Sequence, residues 1–224
     1  MREIVAFIPV RGGSKSIPLK NIKSFCGKPL VYWTAKAAND CKFISKVFIS
    51  TDSDMIRKEV VSLELSKVQV IGRSAETASD TASTESTMLE FAAGQKFDDI
   101  ILIQATSPLL EKEDLDMGCQ RYLDGAYDSL LSVVRQKRFI WKESNTIAVP
   151  ENYIPEKRPR RQEMEGYFVE NGAFYITKRS CLLKSGCRLS GKIGLYEMKE
   201  KTYFEIDEPE DWFIMEKIKQ SCHM

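Results

Sequence analysis

The sequence predicts an α/β protein whose mostly parallel sheet is covered by helices on both faces. Two observations predict this fold: short apolar runs of strand length alternate with longer segments of helix length, and loops rich in turn residues separate them. A chain of 224 residues, of which 43% are hydrophobic, can bury one sizeable core. We therefore expect a single domain over residues 1–224, interrupted by one insertion.

The first strand is the clearest element of the pattern. Residues 4–8 are continuously apolar, Pro9 ends the run, and a glycine-containing loop follows, as is typical of a central strand buried on both faces. Further strands are predicted at 47–50, 68–71, 100–104, 129–134 and 173–177, and helices at about 29–38, 53–63, 84–93, 112–123 and 207–220. Ligands of such sheets bind beyond the carboxyl ends of the strands, so the loops after Pro9, Ser50, Ile71 and Gln104 should surround one crevice.

The alternation stops between residues 136 and 168, where neither period is visible. We predict an inserted arm or a small β-subdomain in this stretch. From Arg135 to Arg161 the sequence has eight Lys or Arg residues against three Glu, interleaved with aromatic residues. Such a stretch fits a solvated basic surface, a weak single-strand nucleic-acid patch or a subunit contact, and the residues alone leave these alternatives open.

The composition argues against several classes of function. A formal net charge of +1 argues against nonspecific nucleic-acid binding as the main activity. The six cysteines form no CxxC pair and the only histidine is His223, so neither a zinc site nor a histidine-based catalytic triad is supported. No apolar stretch approaches the roughly 20 residues of a membrane span, and no leader precedes the first strand, so we expect a cytoplasmic protein without a membrane partner.

The loop at residues 11–21 has the composition of a phosphate-binding loop. Two glycines, Arg11, Lys15 and Lys20 follow the central strand directly. Glycines let backbone N–H groups approach an anion, and the cations neutralise it. The spacing matches neither a Walker loop nor the dinucleotide fingerprint. The alternative is a solvated basic loop whose glycines only permit turns, with Asn21 as a turn residue.

Two carboxylates stand at alternate positions near the end of the sequence, in Glu205-Ile206-Asp207. In an extended segment they share one face. Paired carboxylates opposite a bound phosphate suit Mg²⁺, which prefers hard oxygen ligands and usually takes one or two of them from the protein. We therefore expect Mg²⁺ as the cofactor. The alternative for Asp207 is a capping box with Glu210 at the start of the last helix.

Five motifs occur in order along almost the whole chain: IPVRGGSKSIPLKNI, SDTAST, LIQATSPL, ENGAFYI and EIDEPED. In this order and spacing they resemble the acylneuraminate cytidylyltransferase family, which comprises the CMP-sialic acid synthetases and related enzymes acting on other nonulosonic acids. The resemblance implies a Rossmann-like fold of the nucleotide-diphospho-sugar transferase type. It also implies an enzyme that joins CTP to a nine-carbon 2-keto sugar acid and releases pyrophosphate.

The resemblance further implies the roles of individual residues. It places the nucleotide at Arg11, Gly12, Gly13, Ser14, Lys15, Lys20, Asn21, Arg73, Asp80, Ser83 and Thr84. It places the sugar acid at Gln104, Thr106, Ser107, Asn171 and Gly172 and, from the arm, at Lys142 and Arg161. Catalytic charge stabilisation falls to Arg11, Lys15, Lys20 and Asp207, and metal binding to Asp207 and Glu205. Plain structural roles are the alternative; Ser83 or Thr84, for instance, is a good helix N-cap.

One position departs from the family. The sialic acid synthetases usually read Asp-Ile-Asp where this chain has Glu205-Ile206-Asp207. The extra methylene of Glu205 makes Asp207 the firmer candidate for metal binding.

The resemblance also implies an assembly. In it the arm mediates a homodimer and reaches the neighbouring subunit's site. The alternative functions are a sugar-1-phosphate nucleotidyltransferase and a catalytically silent CTP-binding homologue. Sialic, legionaminic and pseudaminic acids all fit the sequence as the sugar acid.

Overall fold

The computed structural model of the protein describes residues 2–13 and 16–221. Within these residues the strands are β1 (Ile4–Pro9), β2 (Ser24–Phe25), β3 (Lys28–Pro29), β4 (Ile44–Ser50), β5 (Val68–Ile71), β6 (Asp99–Ile103), β7 (Ser129–Gln136), β8 (Trp141–Ser144), β9 (Ile147–Pro150), β10 (Tyr167–Lys178) and β11 (Ile193–Met198). The α-helices are α1 (Leu30–Asp40), α2 (Asp54–Val61), α3 (Ala75–Ala78), α4 (Thr84–Gly94), α5 (Lys112–Asp124), α6 (Arg179–Ser185) and α7 (Pro209–Ser221).

A seven-stranded sheet with the strand order β11-β7-β10-β6-β1-β4-β5 forms the centre of the fold. The β1 strand pairs in parallel with β4 on one side and with β6 on the other, and β4 pairs in parallel with β5. Its residues 4–8 are all buried, because a continuous apolar run can face helices on both sides of a sheet. The predicted mostly parallel sheet with a buried first strand is therefore confirmed.

Helices cover both faces of this sheet. On one face, Ala35 of α1 and Leu115 of α5 belong to the larger hydrophobic core. On the other face, Phe91 of α4 stacks on Phe7 of β1 with ring centroids 4.7 Å apart, and Leu182 of α6 belongs to the same cluster. Burial of such side chains contributes roughly 1.5–3 kcal/mol each, so the two layers fix the sheet and the positions of the loops at its edge.

The β10 strand differs from the prediction. The sequence predicts a short strand at 173–177, whereas β10 extends over Tyr167–Lys178 and pairs antiparallel with both β6 and β7. Its pairing with β7 shifts register between Glu170 and Tyr175, which marks a β-bulge. The β11 strand beside β7 was not predicted, and neither were the short helices α3 and α6.

The inserted arm is the segment between β7 and β10. Its centre is the antiparallel pair β8 and β9, with single 3₁₀ turns following. The sequence predicts an arm over residues 136–168, but Gln136 and Tyr167 are already paired with each other in the main sheet, and Phe168 follows in the same strand. The arm proper is therefore residues 137–166, because the flanking positions satisfy their backbone groups in the sheet.

Side chains cap the first turns of α2 and α7. Ser53 Oγ accepts from the backbone N–H of Ile56 at 3.4 Å and caps α2. The capping box of Asp207 with Glu210 is not the arrangement at α7: the backbone N–H groups of Asp207 and Glu208 donate to Asp211 Oδ2 instead, at 3.1 and 2.8 Å. The Asp207 carboxylate is thus left for other contacts.

Two further properties concern the described residues as a whole. No helix in residues 2–13 and 16–221 combines the length and the apolar character that a bilayer crossing requires. Cys26, Cys41, Cys119, Cys181 and Cys187 are free thiols.

Candidate functional site

A cleft of about 310 Å³ opens at the carboxyl ends of β1, β5 and β6. Its walls come from three of the four loops that the sequence placed around one crevice, those after Pro9, Ile71 and the end of β6. The lining residues are Pro9, Arg11, Lys20, Asn21, Arg73, Ser79, Asp80, Ala82, Ser83, Thr84, Thr87, Gln104, Ala105 and Thr106. Nine residues of the predicted nucleotide and sugar sets are therefore brought together: Arg11, Lys20, Asn21, Arg73, Asp80, Ser83, Thr84, Gln104 and Thr106.

Carboxylates of the chain contact the described part of the phosphate-binding loop. Arg11 Nη1 donates to Asp80 Oδ1 at 2.6 Å and to the carbonyl oxygen of Ser79 at 3.4 Å. The backbone N–H of Gly12 donates to Asp52 Oδ1 at 2.9 Å. Both groups are anion-binding donors, so this part of the loop has the chemistry expected of a phosphate site.

Lys20 and Asn21 form the C-terminal end of the loop. They lie in a 3₁₀ turn, Lys20–Ile22, that follows Leu19 in the left-handed conformation. Asn21 is buried and its Nδ2 donates to the carbonyl oxygen of Arg11 at 3.2 Å, which fixes the loop. Lys20 Nζ donates to the carbonyl oxygen of Ile206 at 2.7 Å and to Asp207 Oδ1 at 3.3 Å. Lys20 thus joins the phosphate-binding loop to the predicted metal ligands.

Arg73, Ser83 and Thr84 form the opposite wall. Arg73 donates to the carbonyl oxygen of Thr77 and to Thr87 Oγ1, and burial lowers the pKa of its guanidinium. Its Nε is buried without a hydrogen-bond partner among the described residues. Ser83 Oγ accepts from the backbone N–H of Ser86 at 3.0 Å and caps α4. The structural alternative for Ser83 is therefore confirmed, although both Ser83 and Thr84 also line the cleft.

The segment after β6 forms the floor of the cleft. Gln104 and Thr106 are half-buried and line it, whereas Ser107 is buried and its Oγ has no hydrogen-bond partner in the described part of the chain. The carbonyl oxygen of Thr106 accepts from the backbone N–H of Ile206 at 2.9 Å. Thr106 therefore ties the Glu205–Asp207 segment to the cleft.

Glu205 and Asp207 lie close enough to influence each other. Burial raises the pKa of Glu205, and the neighbouring charge of Asp207 raises it further. Thr106 Oγ1 donates to Glu205 Oε2 at 3.3 Å. Asp207 is 68% exposed and has the Lys20 ammonium as its ion-pair partner. A half-buried carboxylate next to a second carboxylate has the hard oxygen donors that a divalent cation would take, so the residues fit Mg²⁺.

In the part of the chain that the structure describes, no group of three or more His, Cys, Asp or Glu side chains is placed to hold a metal. Mg²⁺ as the cofactor stays a prediction.

Asn171 and Gly172 lie on the bulge of β10. Asn171 is 1% exposed and its Nδ2 donates to the carbonyl oxygen and to Oγ1 of Thr202, at 3.2 and 3.1 Å. Its amide nitrogen is therefore occupied inside the protein, whereas its Oδ1 is buried without a hydrogen-bond partner among the described residues, so the predicted sugar contact stays a prediction. Gly172 has φ +66° and faces Glu205 and Gln104.

The two predicted sugar-binding residues of the arm do not line the cleft of their own chain. Lys142 forms an ion pair with Glu151 within the β8–β9 hairpin. Arg161 pairs with Glu200 at 3.4 Å. Their assignment to a neighbouring subunit's site stays a prediction. Ser14 and Lys15, assigned to the nucleotide, lie outside the described residues, and the described Gly13 is exposed beside them.

Three residues at or beside the cleft were given no role by the sequence reasoning. Asp52 lies beside the cleft, where its Oδ1 accepts from the backbone N–H of Gly12; it belongs to the loop after Ser50, to which the strand-end rule points. Ala82 lines the cleft and stands in the SDTAST motif. Thr87 also lines the cleft, and neither charge nor motif marks it, because it lies inside α4.

Known proteins match this chain over almost its whole length. The model of the cytidylyltransferase family matches residues 5–224. The chain is 39% identical over 221 residues to N-acylneuraminate cytidylyltransferase A of Danio rerio. The aligned region covers 96% of this chain and 50% of that protein. The chain is 28% identical over 226 residues to post-translational flagellin modification protein B of Campylobacter coli, with 96% and 94% covered. The chain spans about half the length of the N-acylneuraminate cytidylyltransferases it matches.

Solved structures share this fold. A solved structure of CMP:2-keto-3-deoxy-manno-octonic acid synthetase complexed with CTP has a TM-score of 0.73 to this chain at 19% identity, with 98% of this chain and 99% of that one covered. At that identity the likeness is one of fold. The family match over residues 5–224, on a sheet whose strand ends carry the predicted cleft, shows that this chain belongs to the cytidylyltransferase family.

Proposed function

We propose that this chain transfers a cytidylyl group from CTP to a nine-carbon 2-keto sugar acid, an N-acylneuraminate or a related nonulosonate. The observation that carries the proposal is the cleft itself: it joins Arg11, Lys20 and Arg73 on its walls, Lys20 links it to the Asp207 carboxylate, and Thr106 links it to the Glu205 carboxylate. Cations beside paired carboxylates suit a polyphosphate with a bound divalent ion. The relatives named N-acylneuraminate cytidylyltransferase support the choice of substrates.

The proposed reaction needs no covalent protein nucleophile. The anomeric hydroxyl oxygen of the sugar acid forms a bond to the α-phosphorus of CTP while the bond from that phosphorus to the bridging oxygen breaks. Pyrophosphate leaves, the CMP-sugar remains, and the hydroxyl proton passes to a carboxylate or to water. Such chemistry depends on positioning and on charge stabilisation, which is compatible with a cleft built from cations and amides.

The cleft residues divide the work in this proposal. Arg11 and Lys20, with Lys15 of the same loop, stabilise the charge on the phosphates. Arg73 offers its buried Nε, which has no partner in the described residues, to the nucleotide. Gln104 and Thr106 on the floor orient the sugar acid.

Asp207 and Glu205 would hold Mg²⁺ in this proposal. When bound, Mg²⁺ supplies positive charge that neutralises phosphate oxygens. The Lys20 ammonium lies 3.3 Å from Asp207 Oδ1. This ion pair holds the Asp207 carboxylate next to the loop at residues 11–21.

A homodimer is the proposed assembly. The arm exposes large apolar side chains: Trp141 is 48%, Ile147 65% and Ile154 60% exposed. Exposed apolar groups next to basic residues are typical of subunit contacts. Light scattering behind size exclusion should give twice the mass of one chain, and the double variant Trp141→Ser, Ile147→Ser should shift the protein to a monomer. A wild-type monomer at micromolar concentration would contradict the dimer.

The decisive experiment is an assay of pyrophosphate release. The protein is incubated with each nucleoside triphosphate, Mg²⁺ and a panel of sugar acids and sugar 1-phosphates. Turnover that requires CTP and a nonulosonic acid is the expected result. Turnover only with a sugar 1-phosphate would replace the proposal by its nearest alternative. Nucleotide binding without turnover across the panel would show a silent homologue, an alternative that the longer Glu205 side chain motivates.

A further inference from the structure

Gly172 lies where the backbone of β10 takes a conformation that favours glycine. The pairing of β10 with β7 shifts register around this residue, and its φ is +66°. A left-handed conformation costs a residue with a side chain more than it costs glycine. The position is also buried, next to Gln104 of the cleft floor.

The space that a side chain would need at this position is taken by two functional groups. A Cβ atom built on Gly172 would lie 2.7 and 2.8 Å from the two carboxylate oxygens of Glu205 and 2.9 Å from Gln104 Nε2. All three distances are shorter than real Cβ contacts allow. The colliding atoms are the ends of flexible side chains, so a Cβ would push these ends aside while the backbone could stay in place.

Glu205 is held from its other side. Thr106 Oγ1 donates to Glu205 Oε2 at 3.3 Å, and the backbone N–H of Ile206 donates to the carbonyl oxygen of Thr106 at 2.9 Å. The carboxylate therefore lies between the Thr106 hydroxyl and the bare Cα of Gly172. Glutamate has one methylene more than aspartate, and the missing side chain at position 172 makes room for that extra length.

We propose that Gly172 is a positioning residue: its missing side chain sets the place of the Glu205 carboxylate and of the Gln104 amide in the cleft. The inference rests on the proposed function for its catalytic consequence. The contact between Gly172 and Glu205 stands independently of that function. A change at position 172 should therefore act mainly through residue 205, and shortening residue 205 should relieve it.

A double-mutant cycle with a matched glycine tests this. The proteins are the wild type, Gly172→Ala, Glu205→Asp, the double variant of these two, and Gly186→Ala. Gly186 has φ +69°, and no described atom lies within 4 Å of the Cβ built there, so Gly186→Ala carries the same backbone strain without a collision. Thermal unfolding and steady-state pyrophosphate release are measured for all five proteins.

We expect Gly186→Ala to lower Tm by about 2–4 °C and to leave kcat/KM within twofold. Gly172→Ala should lower kcat/KM about tenfold, because displacements of the order of 1 Å have effects of this size or larger. In the Glu205→Asp background, Gly172→Ala should lower kcat/KM less than threefold. Gly172→Ala should also lower Tm more than Gly186→Ala does, and adding Glu205→Asp should restore part of that extra loss in Tm.

The outcomes separate the inference from the proposed function. If Gly172→Ala matches Gly186→Ala in both Tm and kcat/KM, the collision has no effect and the inference is wrong. If its loss is the same with Glu205 and with aspartate at that position, Gly172 does not act through Glu205. A wild-type protein without transfer activity would overturn the proposed function and the catalytic part of the inference. In that case the effect of Gly172→Ala on Tm, compared between the proteins with glutamate and with aspartate at position 205, would still test the contact itself.

Discussion

The ion pair between Arg11 and Asp80 leads to a prediction about phosphate binding. A phosphate that engages Arg11 competes with Asp80, whose Oδ1 accepts from Arg11 Nη1 at 2.6 Å in the lining of the cleft. The change is Asp80→Asn, which keeps the size of the side chain and removes its charge. We expect this variant to bind pyrophosphate more tightly than the wild type, because the competitor for Arg11 is weakened.

The size of the effect follows from the exposure of the pair. The Arg11 and Asp80 side chains are 34% and 47% exposed, so solvent and salt screen their attraction. Pairs of this kind contribute about 0.2–1 kcal/mol. That free energy corresponds to roughly a 1.4- to 5-fold gain in pyrophosphate affinity. The gain should shrink in high salt, because screening already weakens the pair there.

Calorimetric titration with pyrophosphate measures the effect, since this ligand carries phosphates without ribose or base. Asp54→Asn is the matched control: it removes one negative charge from a 93% exposed side chain two positions beyond Asp52. Pyrophosphate affinity that is unchanged or weaker in Asp80→Asn than in this control would refute the competition. Weaker CTP binding together with unchanged pyrophosphate binding would place Asp80 on the nucleoside, as the family resemblance implies.

Three further predictions concern other residues. Asp207→Ala should abolish pyrophosphate release while changing Tm no more than the neighbouring Glu210→Ala, because Asp207 does not cap the last helix; full activity would mean that the metal site is misassigned. Lys142→Ala should raise KM for the sugar acid and leave CTP affinity unchanged, and equal effects on both substrates would contradict its sugar role. Arg188 donates to both oxygens of Glu85, at 2.6 and 3.0 Å, which lowers the pKa of that carboxyl. The stability from this pair is present above the unfolded-state pKa of Glu85 and is lost as pH falls through its folded-state pKa. Between pH 7 and pH 3, the free energy of chemical unfolding should therefore fall by about 1–2 kcal/mol less in Glu85→Gln than in the wild type. An equal fall in both proteins would contradict this.

The parts of the fold that the sequence predicted are those with local signals. The apolar run at β1 and the glycine loop after it indicate a buried strand ending at a ligand site, and the structure confirms the buried strand and the cleft at its end. The helix α5 and the strand β5 were predicted within a residue of their bounds, since hydrophobic periodicity and turn residues mark them.

The parts that were missed depend on partners distant in sequence. Strand β10 runs antiparallel because of its pairing with β6 and β7, and no pattern within its own residues reports direction. Asn171 is buried by Thr202, and Arg11 is paired with Asp80. These contacts join residues 31 and 69 positions apart, beyond the reach of periodicity or spacing. Motifs therefore located the cleft, while the tertiary structure decided which side chains face into it.

The pairing of Gln136 with Tyr167 has a consequence for how this chain can change over time. Because the arm leaves the sheet and returns to it at two residues that are bonded partners, it is in topological terms an enlarged hairpin loop. Residues can be added or removed between them without altering the register of β7 or β10, and so without moving the bulge that carries Gly172. The arm is thus free to vary in length and composition, while the strands that build the cleft stay under the constraint of the sheet.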